Sequence, residues 1–233
     1  MESRPESPSP VASKRHLIGF LLIQAGTVAL GVAAQTRSTA GPGVISEHRN
    51  GVQLYLSLIL AEWAMFYYVW AGLHRKGVLL SEITGGRWNA AKDVLRDAAI
   101  ALPFWVIWDR TAWLLHVVLG ENRAKSVDSV LPQNALETLL WISLSISAGI
   151  CEELAFRGYL QRQIRALGVG TAAAIVGQGL VFGAAHAYQG WKNVVVIAAL
   201  GVLYGALAAW RKNLAPGMLA HAWSDIYACL KFA

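Results

Sequence analysis

The ten residues Cys151 to Leu160, CEELAFRGYL, set Glu152, Glu153 and Arg157 against the end of an apolar run that begins near Leu136. A charge at membrane depth costs roughly 2.5–3.5 kcal/mol on insertion scales, so such groups usually face a protein-lined cavity and mark function. On a helix Glu153 and Arg157 are i and i+4 and share a face, whereas Glu152 is turned about 100° from Glu153. Arg157 then holds Glu153 in its charged form, and Glu152, the less compensated carboxylate, is the better group to move a proton. An ion-pair network ending a transmembrane helix at the headgroups would use the same residue types, so this stretch alone does not decide between the two.

Two later stretches add to it. Phe182-Gly-Ala-Ala-His186 puts a histidine in one apolar run, and His221-Ala-Trp-Ser-Asp225 puts His221 and Asp225 at i and i+4 in another. That second spacing lets one side chain orient its partner or lets both meet a common ligand. One polar cavity shared by three late helices would satisfy all these groups at once. Such a cavity could hydrolyse a peptide bond. Glu152, assisted by His186, would deprotonate a water, and His221, positioned by Asp225, would donate to the developing oxyanion. The same residues could instead hold zinc through His186, His221 and a carboxylate, with the metal lowering the pKa of the water. There is no HExxH pair, so no cofactor is expected and zinc stays open.

The elements that carry these residues are membrane helices. The chain is 55% hydrophobic and 15% charged, with mean hydropathy +0.43, against about 25% charged residues in soluble proteins. Apolar runs fall at roughly 16–34, 52–73, 98–119, 136–160, 171–188, 192–210 and 213–231. They predict an all-α, polytopic membrane bundle of about seven transmembrane helices. Residues 1–15, rich in Pro, Ser and charge, are expected to form a disordered cytoplasmic tail before a single domain over 16–233, with its catalytic core in 136–231. The first run is too long for a signal-peptide core and is read as uncleaved.

The net charge of +6 is better explained by topology than by nucleic acid, which is not an expected partner. About twelve Lys and Arg fall on segments sharing the side of the N-terminus and about six on the other, which puts the N-terminus in the cytoplasm. Cys151 and Cys229 form no spacing motif, so neither a disulfide framework nor a cysteine-bound metal is expected. The TGGRWNAAKDVLRDAA stretch fits either an interfacial helix or a polar loop entering the third run. Gly179, Gly183, Gly201 and Gly205 make small-xxx-small faces for close helix packing. Glu62, Asp109, Arg110 and His116 are ionisable groups inside the second and third runs and are read as structural, with Glu62 a partner for Arg110. Counted from the inner end, His221 lies about 12 Å and His186 about 22 Å into their runs at about 1.5 Å per residue. That mismatch implies either a shifted boundary for the fifth run or a helix that starts inside the cavity.

Taken together, EELAFR, FGAAH and HAWSD resemble the intramembrane CAAX-protease and bacteriocin-processing family (CPBP, also called Abi), with its E-E-x-x-x-R, F-x-x-x-H and H-x-x-x-N/D motifs. Their order matches, over roughly residues 136–231. The resemblance implies an all-helical membrane endopeptidase. Glu152, His186, His221 and Asp225 stand at its catalytic positions and Glu153, Arg157 and Phe182 at supporting ones. The family has been described both as metal-dependent and as glutamate-dependent, and the second reading is the one preferred here. Asp225 stands where eukaryotic members carry Asn; an ionised Asp cannot donate to an oxyanion, so here it either orients His221 or is protonated. The implied partners are the bilayer and a peptide or protein substrate that could be lipidated, as in the prenylated CAAX tails cleaved by the eukaryotic branch. Two other functions fit the same cavity less closely: a non-enzymatic peptide-binding or immunity protein, and a small transporter, for which the chain lacks an internal repeat.

Overall fold

A computed structural model describes residues 9–38, 50–86, 88–121 and 130–232. Among these all regular structure is helical, as the hydropathy pattern predicts. The helices are α1 (Lys14–Ser38), α2 (Gly51–His74), α3 (Leu80–Thr84), α4 (Ala91–Val118), α5 (Ala135–Glu152), α6 (Gln161–Arg165), α7 (Thr171–Ala185), α8 (Trp191–Arg211) and α9 (Ala215–Phe232). A π-helical segment, Glu153–Leu160, joins α5 to α6, and one 3₁₀ turn, Ala187–Gln189, joins α7 to α8.

Side-chain caps start two of the long helices. Asn50 Oδ1 accepts from the Gln53 N–H and Asn134 Oδ1 from the Glu137 N–H, which satisfies donors that have no intrahelical partner. Each of the seven apolar runs is helical, but four helices are long and apolar enough to cross a membrane: Gly51–His74, Ala91–Val118, Ala135–Arg165 and Trp191–Arg211. Among the described residues length and hydropathy thus support a helical membrane bundle without confirming the predicted count of seven crossings. The lipid face is plain on α2, where Leu56, Leu60, Trp63 and Tyr67 are all exposed at i, i+4, i+7 and i+11. In water an apolar stripe of that length would be an aggregation liability; against acyl chains it is a solvated face. Four apolar spanning helices make this a membrane protein.

Several boundaries differ from the sequence expectation. The TGGRWNAAKDVLRDAA stretch enters α4 directly at Ala91, where Asp93 Oδ2 accepts from the Asn89 and Ala90 N–H groups, so there is no separate interfacial helix. Asp97, fully buried, accepts from Trp88 Nε1, Arg96 Nε and Asn213 Nδ2, which pins the start of α4 to the turn between α8 and α9. The same turn presses the Lys212 carbonyl against Gly85, which has φ +76°; a Cβ there would strike that carbonyl, so only glycine fits. Part of the expected N-terminal tail is packed: Val11 and Ala12 are buried, and both N–H groups donate to Gln163 Oε1. Residues 1–8 of that tail lie outside the described residues.

The main core lies under the π-helical segment, where Phe20, Val69, Leu73, Ile83, Leu154, Phe156, Tyr159, Leu160, Phe182 and Leu214 pack together. The glycine faces work as expected. A Cβ on Gly183 would come 2.6 Å from the Val194 carbonyl and one on Gly179 3.0 Å from the Ala198 carbonyl, so α7 and α8 touch backbone to backbone. Gly149 similarly lets α5 approach the Met218 carbonyl on α9. These approaches set the distances between the three helices that carry the polar residues.

Candidate active site

Glu152 closes α5 and Glu153 opens the π-helical segment, and both carboxylates are buried together with Arg157. All eight residues of the π-helical segment are buried, and such segments are frequent at functional sites. Arg157 Nη1 lies 3.0 Å from Glu153 Oε1, the pairing that the i,i+4 spacing predicts. The guanidinium sits between two rings, 4.3 Å from the Phe182 centroid and 5.0 Å from that of Tyr204, and Nη2 donates to the Gly201 carbonyl. Its Nε reaches no hydrogen-bond acceptor, so ring faces do much of the compensating for this buried cation.

His221, on α9, lies against both carboxylates. Its Nδ1–H donates to Glu153 Oε1 at 3.1 Å, and its Nε2 is 3.4 Å from Glu152 Oε2. Asp225 Oδ2 is farther, 3.9 Å from the same Nε2. The sequence expectation that Asp225 positions His221 is thus corrected. Glu153 is the orienting carboxylate, itself fixed by Arg157, and Tyr204 stacks on the other side of the ring at 5.2 Å. The i,i+4 spacing of His221 and Asp225 is real, but the hydrogen bond goes to another helix.

His186 follows the last residue of α7. Its Nδ1–H donates to the Phe182 carbonyl at 2.9 Å, which turns Nε2 toward Glu152 Oε1, 4.0 Å away. The F-x-x-x-H spacing therefore has two jobs. The Phe182 backbone sets the direction of the His186 ring. Its ring packs against His186, His221 and Phe156 at 4.9, 6.2 and 4.9 Å, which makes it the spacer of the site.

α7 starts at Thr171, where the sequence put it, and ends at Ala185, so the depth of His186 counted along the chain is unchanged. The helix's fifteen residues span about 22 Å, against about 30 Å for a bilayer core. The fifth run is shorter than the sequence suggested, and His186 marks its end inside the bundle.

The structure brings together Glu152, His186, His221 and Asp225, with Glu153, Arg157 and Phe182 behind them. Sequence reasoning missed two neighbours. Tyr204 lay inside the Gly201–Gly205 packing stripe, where only its spacing from the glycines was noticed. Glu62, read as structural and as a partner for Arg110, instead has Glu152 as a neighbour, with its own Oε2 closed off from solvent. Arg110, with a side chain 72% exposed, pairs with its neighbour Asp109 at 3.4 Å, which corrects the Glu62–Arg110 pairing. His116 Nδ1–H donates to the Ala112 carbonyl and Nε2 meets Asn193 Oδ1, away from the three motifs. Both cysteines are free and buried.

A zinc site would need His186, His221 and a carboxylate to converge on one point. Among the described residues no three His, Cys, Asp or Glu side chains are grouped as ligands of one ion, so the side chains as they stand do not fit a tetrahedral site.

A family model described as Rce1-like, type II CAAX prenyl endopeptidase, matches residues 134–227, the stretch holding all three motifs. Over those residues, 94 of the 233 in the chain, the sequence is similar to the CAAX prenyl endopeptidase family. The comparisons with curated proteins and with solved structures return no match. The matched segment begins at the cap of α5 and ends within α9, so it holds Glu152, His186, His221 and Asp225 together.

Proposed function

We propose that this chain is a glutamate-dependent intramembrane endopeptidase that cleaves a peptide near the cytoplasmic face of the bilayer, and that a lipid-modified C-terminal tail is its substrate class. The observation that carries the reading is the position of Glu152, whose two carboxylate oxygens face His186 Nε2 and His221 Nε2 respectively. The 4.0 Å between Glu152 and His186 is too long for a direct hydrogen bond and suits a bridging water. Glu152 would take one proton from that water as its oxygen attacks the scissile carbonyl. His186 Nε2, turned toward Glu152 by the Phe182 carbonyl, would orient the water.

His221 would supply the oxyanion donor. Both its ring nitrogens face carboxylate oxygens, so the doubly protonated ring satisfies both, and Nε2–H is the donor offered to the developing charge. Glu152 would then pass its proton to the leaving amine, which closes the cycle. Asp225, with a side chain 38% exposed where its three partners are largely covered, lies on the side by which a peptide would approach. The cytoplasmic placement rests on the basic residues, which favour the side of the N-terminus.

The test is cleavage of a prenylated-peptide library by purified protein, with and without a chelator. Glu152→Ala should lower kcat at least a hundredfold, the scale for a positioned base, while the protein still inserts and keeps its thermal midpoint. Retained cleavage in that variant overturns the reading. Chelator-sensitive cleavage with stoichiometric zinc would replace it with a metal-dependent mechanism.

A further inference from the structure

A polar cavity of about 560 Å³ lies at the end of the bundle where α8 turns into α9 beside the α3–α4 connection, and it shares no lining residue with the candidate active site. Its charged lining is three cations, Arg96, Arg211 and Lys212, and two carboxylates, Glu82 and Asp93. Three of these five are already engaged. Asp93 accepts from the N–H groups before α4 and pairs with Arg96, and Arg96 also reaches Asp97. Glu82 Oε1 accepts, at 3.5 Å, from the Leu79 N–H at the start of α3.

Arg211 and Lys212 are left over. Among the described residues neither has a carboxylate partner. The Arg211 guanidinium rests 5.2 Å from the Trp210 ring, and its Nε is shut off from solvent with no acceptor. A buried donor is normally satisfied, so an orphaned one at a cavity wall points to an acceptor that belongs in the cavity. Ser81 and Asn89, on the same wall, bring a hydroxyl and an amide that no described residue engages. The lining thus offers an anion two uncommitted cations and two neutral donors, over a net charge of one positive. A singly charged phosphodiester matches that balance, whereas a headgroup with several phosphates would meet Glu82 and Asp93 at close range.

Two observations put that phosphate on a lipid. Trp88 and Trp210, next in the chain to Asn89 and Arg211, are both exposed, as tryptophans at headgroup level are. Beside the cavity, Leu95, Leu102, Val106 and Trp113 run along α4 as one exposed apolar stripe at i, i+7, i+11 and i+18, a surface for an acyl chain. Basic pockets between membrane helices are places where anionic headgroups bind. We propose that this cavity is a binding site for a singly charged anionic phospholipid, with Arg211 and Lys212 holding its phosphate and the α4 stripe receiving an acyl chain. The site stands independently of the protease reading.

The test uses delipidated full-length protein in neutral detergent, titrated with phosphatidylglycerol, phosphatidylcholine, inorganic phosphate, or glycerophosphoglycerol, the same headgroup without acyl chains. A ligand of the folded state raises the thermal midpoint as its concentration rises. Phosphatidylglycerol should act on the unchanged protein at a concentration roughly tenfold lower than on the double variant Arg211→Gln/Lys212→Gln, which lacks the charge-assisted hydrogen bonds. Asn89→Asp sets a like charge on the wall at an exposed side chain that makes no bond, so it reads the site even if the double variant fails to fold. It should weaken the lipid effect on the same scale. Phosphatidylcholine and the two soluble phosphates should do little at those concentrations.

Identical phosphatidylglycerol titrations for the unchanged protein and Asn89→Asp, or for a folded double variant, overturn the site. An equal shift by inorganic phosphate or glycerophosphoglycerol overturns the lipid and makes the ligand a soluble phosphate. An equal shift by phosphatidylcholine overturns the selection for negative charge.

Discussion

At the level of single residues, the site is two carboxylates with opposite surroundings. Glu153 faces an arginine and a histidine, and Glu152 faces two histidines. Breaking a buried ion pair by removing one partner typically costs about 3–5 kcal/mol, because a charge is left uncompensated. Arg157→Met should therefore destabilise the protein on that scale. Adding Glu153→Gln to it should recover a large part of the loss, as read from thermal midpoints in detergent. Activity should not return with stability, since an amide cannot hold His221 as the ionised carboxylate does. The Glu153–Arg157 pair was legible because both partners share one helix face. The Glu153–His221 bond was not, because the competing partner, Asp225, also lay at i,i+4, and only tertiary packing chooses between a neighbour on the same helix and one 68 residues away.

Helices place these residues through their ends and their contacts. Hydropathy located all seven long helices, since burial in lipid needs continuous apolar runs whatever their packing. It could not show where α7 stops, because Ala187 and Tyr188 continue the apolar run, and it carried no sign of the π-helical segment, which arises from packing around buried residues. The glycine stripe, by contrast, was readable as geometry before any coordinates. Gly183 is the sharpest case, three residues before His186 and with the Val194 carbonyl only 2.6 Å from where a Cβ would sit. Gly183→Val should push α7 from α8, lower the thermal midpoint and reduce kcat by about a hundredfold through displacement of His186. Gly177→Ala is the control. Its new methyl meets only Ile164 Cδ1, at 3.4 Å, and removing a helical glycine should leave stability equal or raise it by up to about 1 kcal/mol. Parallel melting curves and cleavage rates check both.

At the scale of the whole molecule, orientation follows from charge. The excess of basic residues on the side of the N-terminus predicts that a thiol introduced beside α1 is reachable from the cytoplasm alone. Ser13→Cys provides it, at an exposed position just before Lys14, while Cys151 and Cys229 are both buried and should stay silent. In inside-out vesicles an impermeant maleimide should label Ser13→Cys, and in intact cells it should not; the reverse pattern would invert the topology. The polytopic plan was visible from composition alone. How many of the seven helices cross fully was not, because α9 carries His221, Asp225 and Lys231 in eighteen residues and the fifteen of α7 are few.

The shortness of α7 also matters to the lipid around it. A helix of about 22 Å beside neighbours such as α8, with twenty-one residues, leaves acyl chains on one flank with less apolar protein to cover than on the others. The surrounding leaflet must thin there, at a modest cost for every ångström of mismatch. The seat of His186 is then coupled to bilayer thickness. Cleavage in vesicles should be fastest with short-chain phospholipids and slow steadily as acyl chains lengthen, with detergent-solubilised protein unaffected by the series. Rates that ignore chain length would mean that the bundle seals this flank by itself.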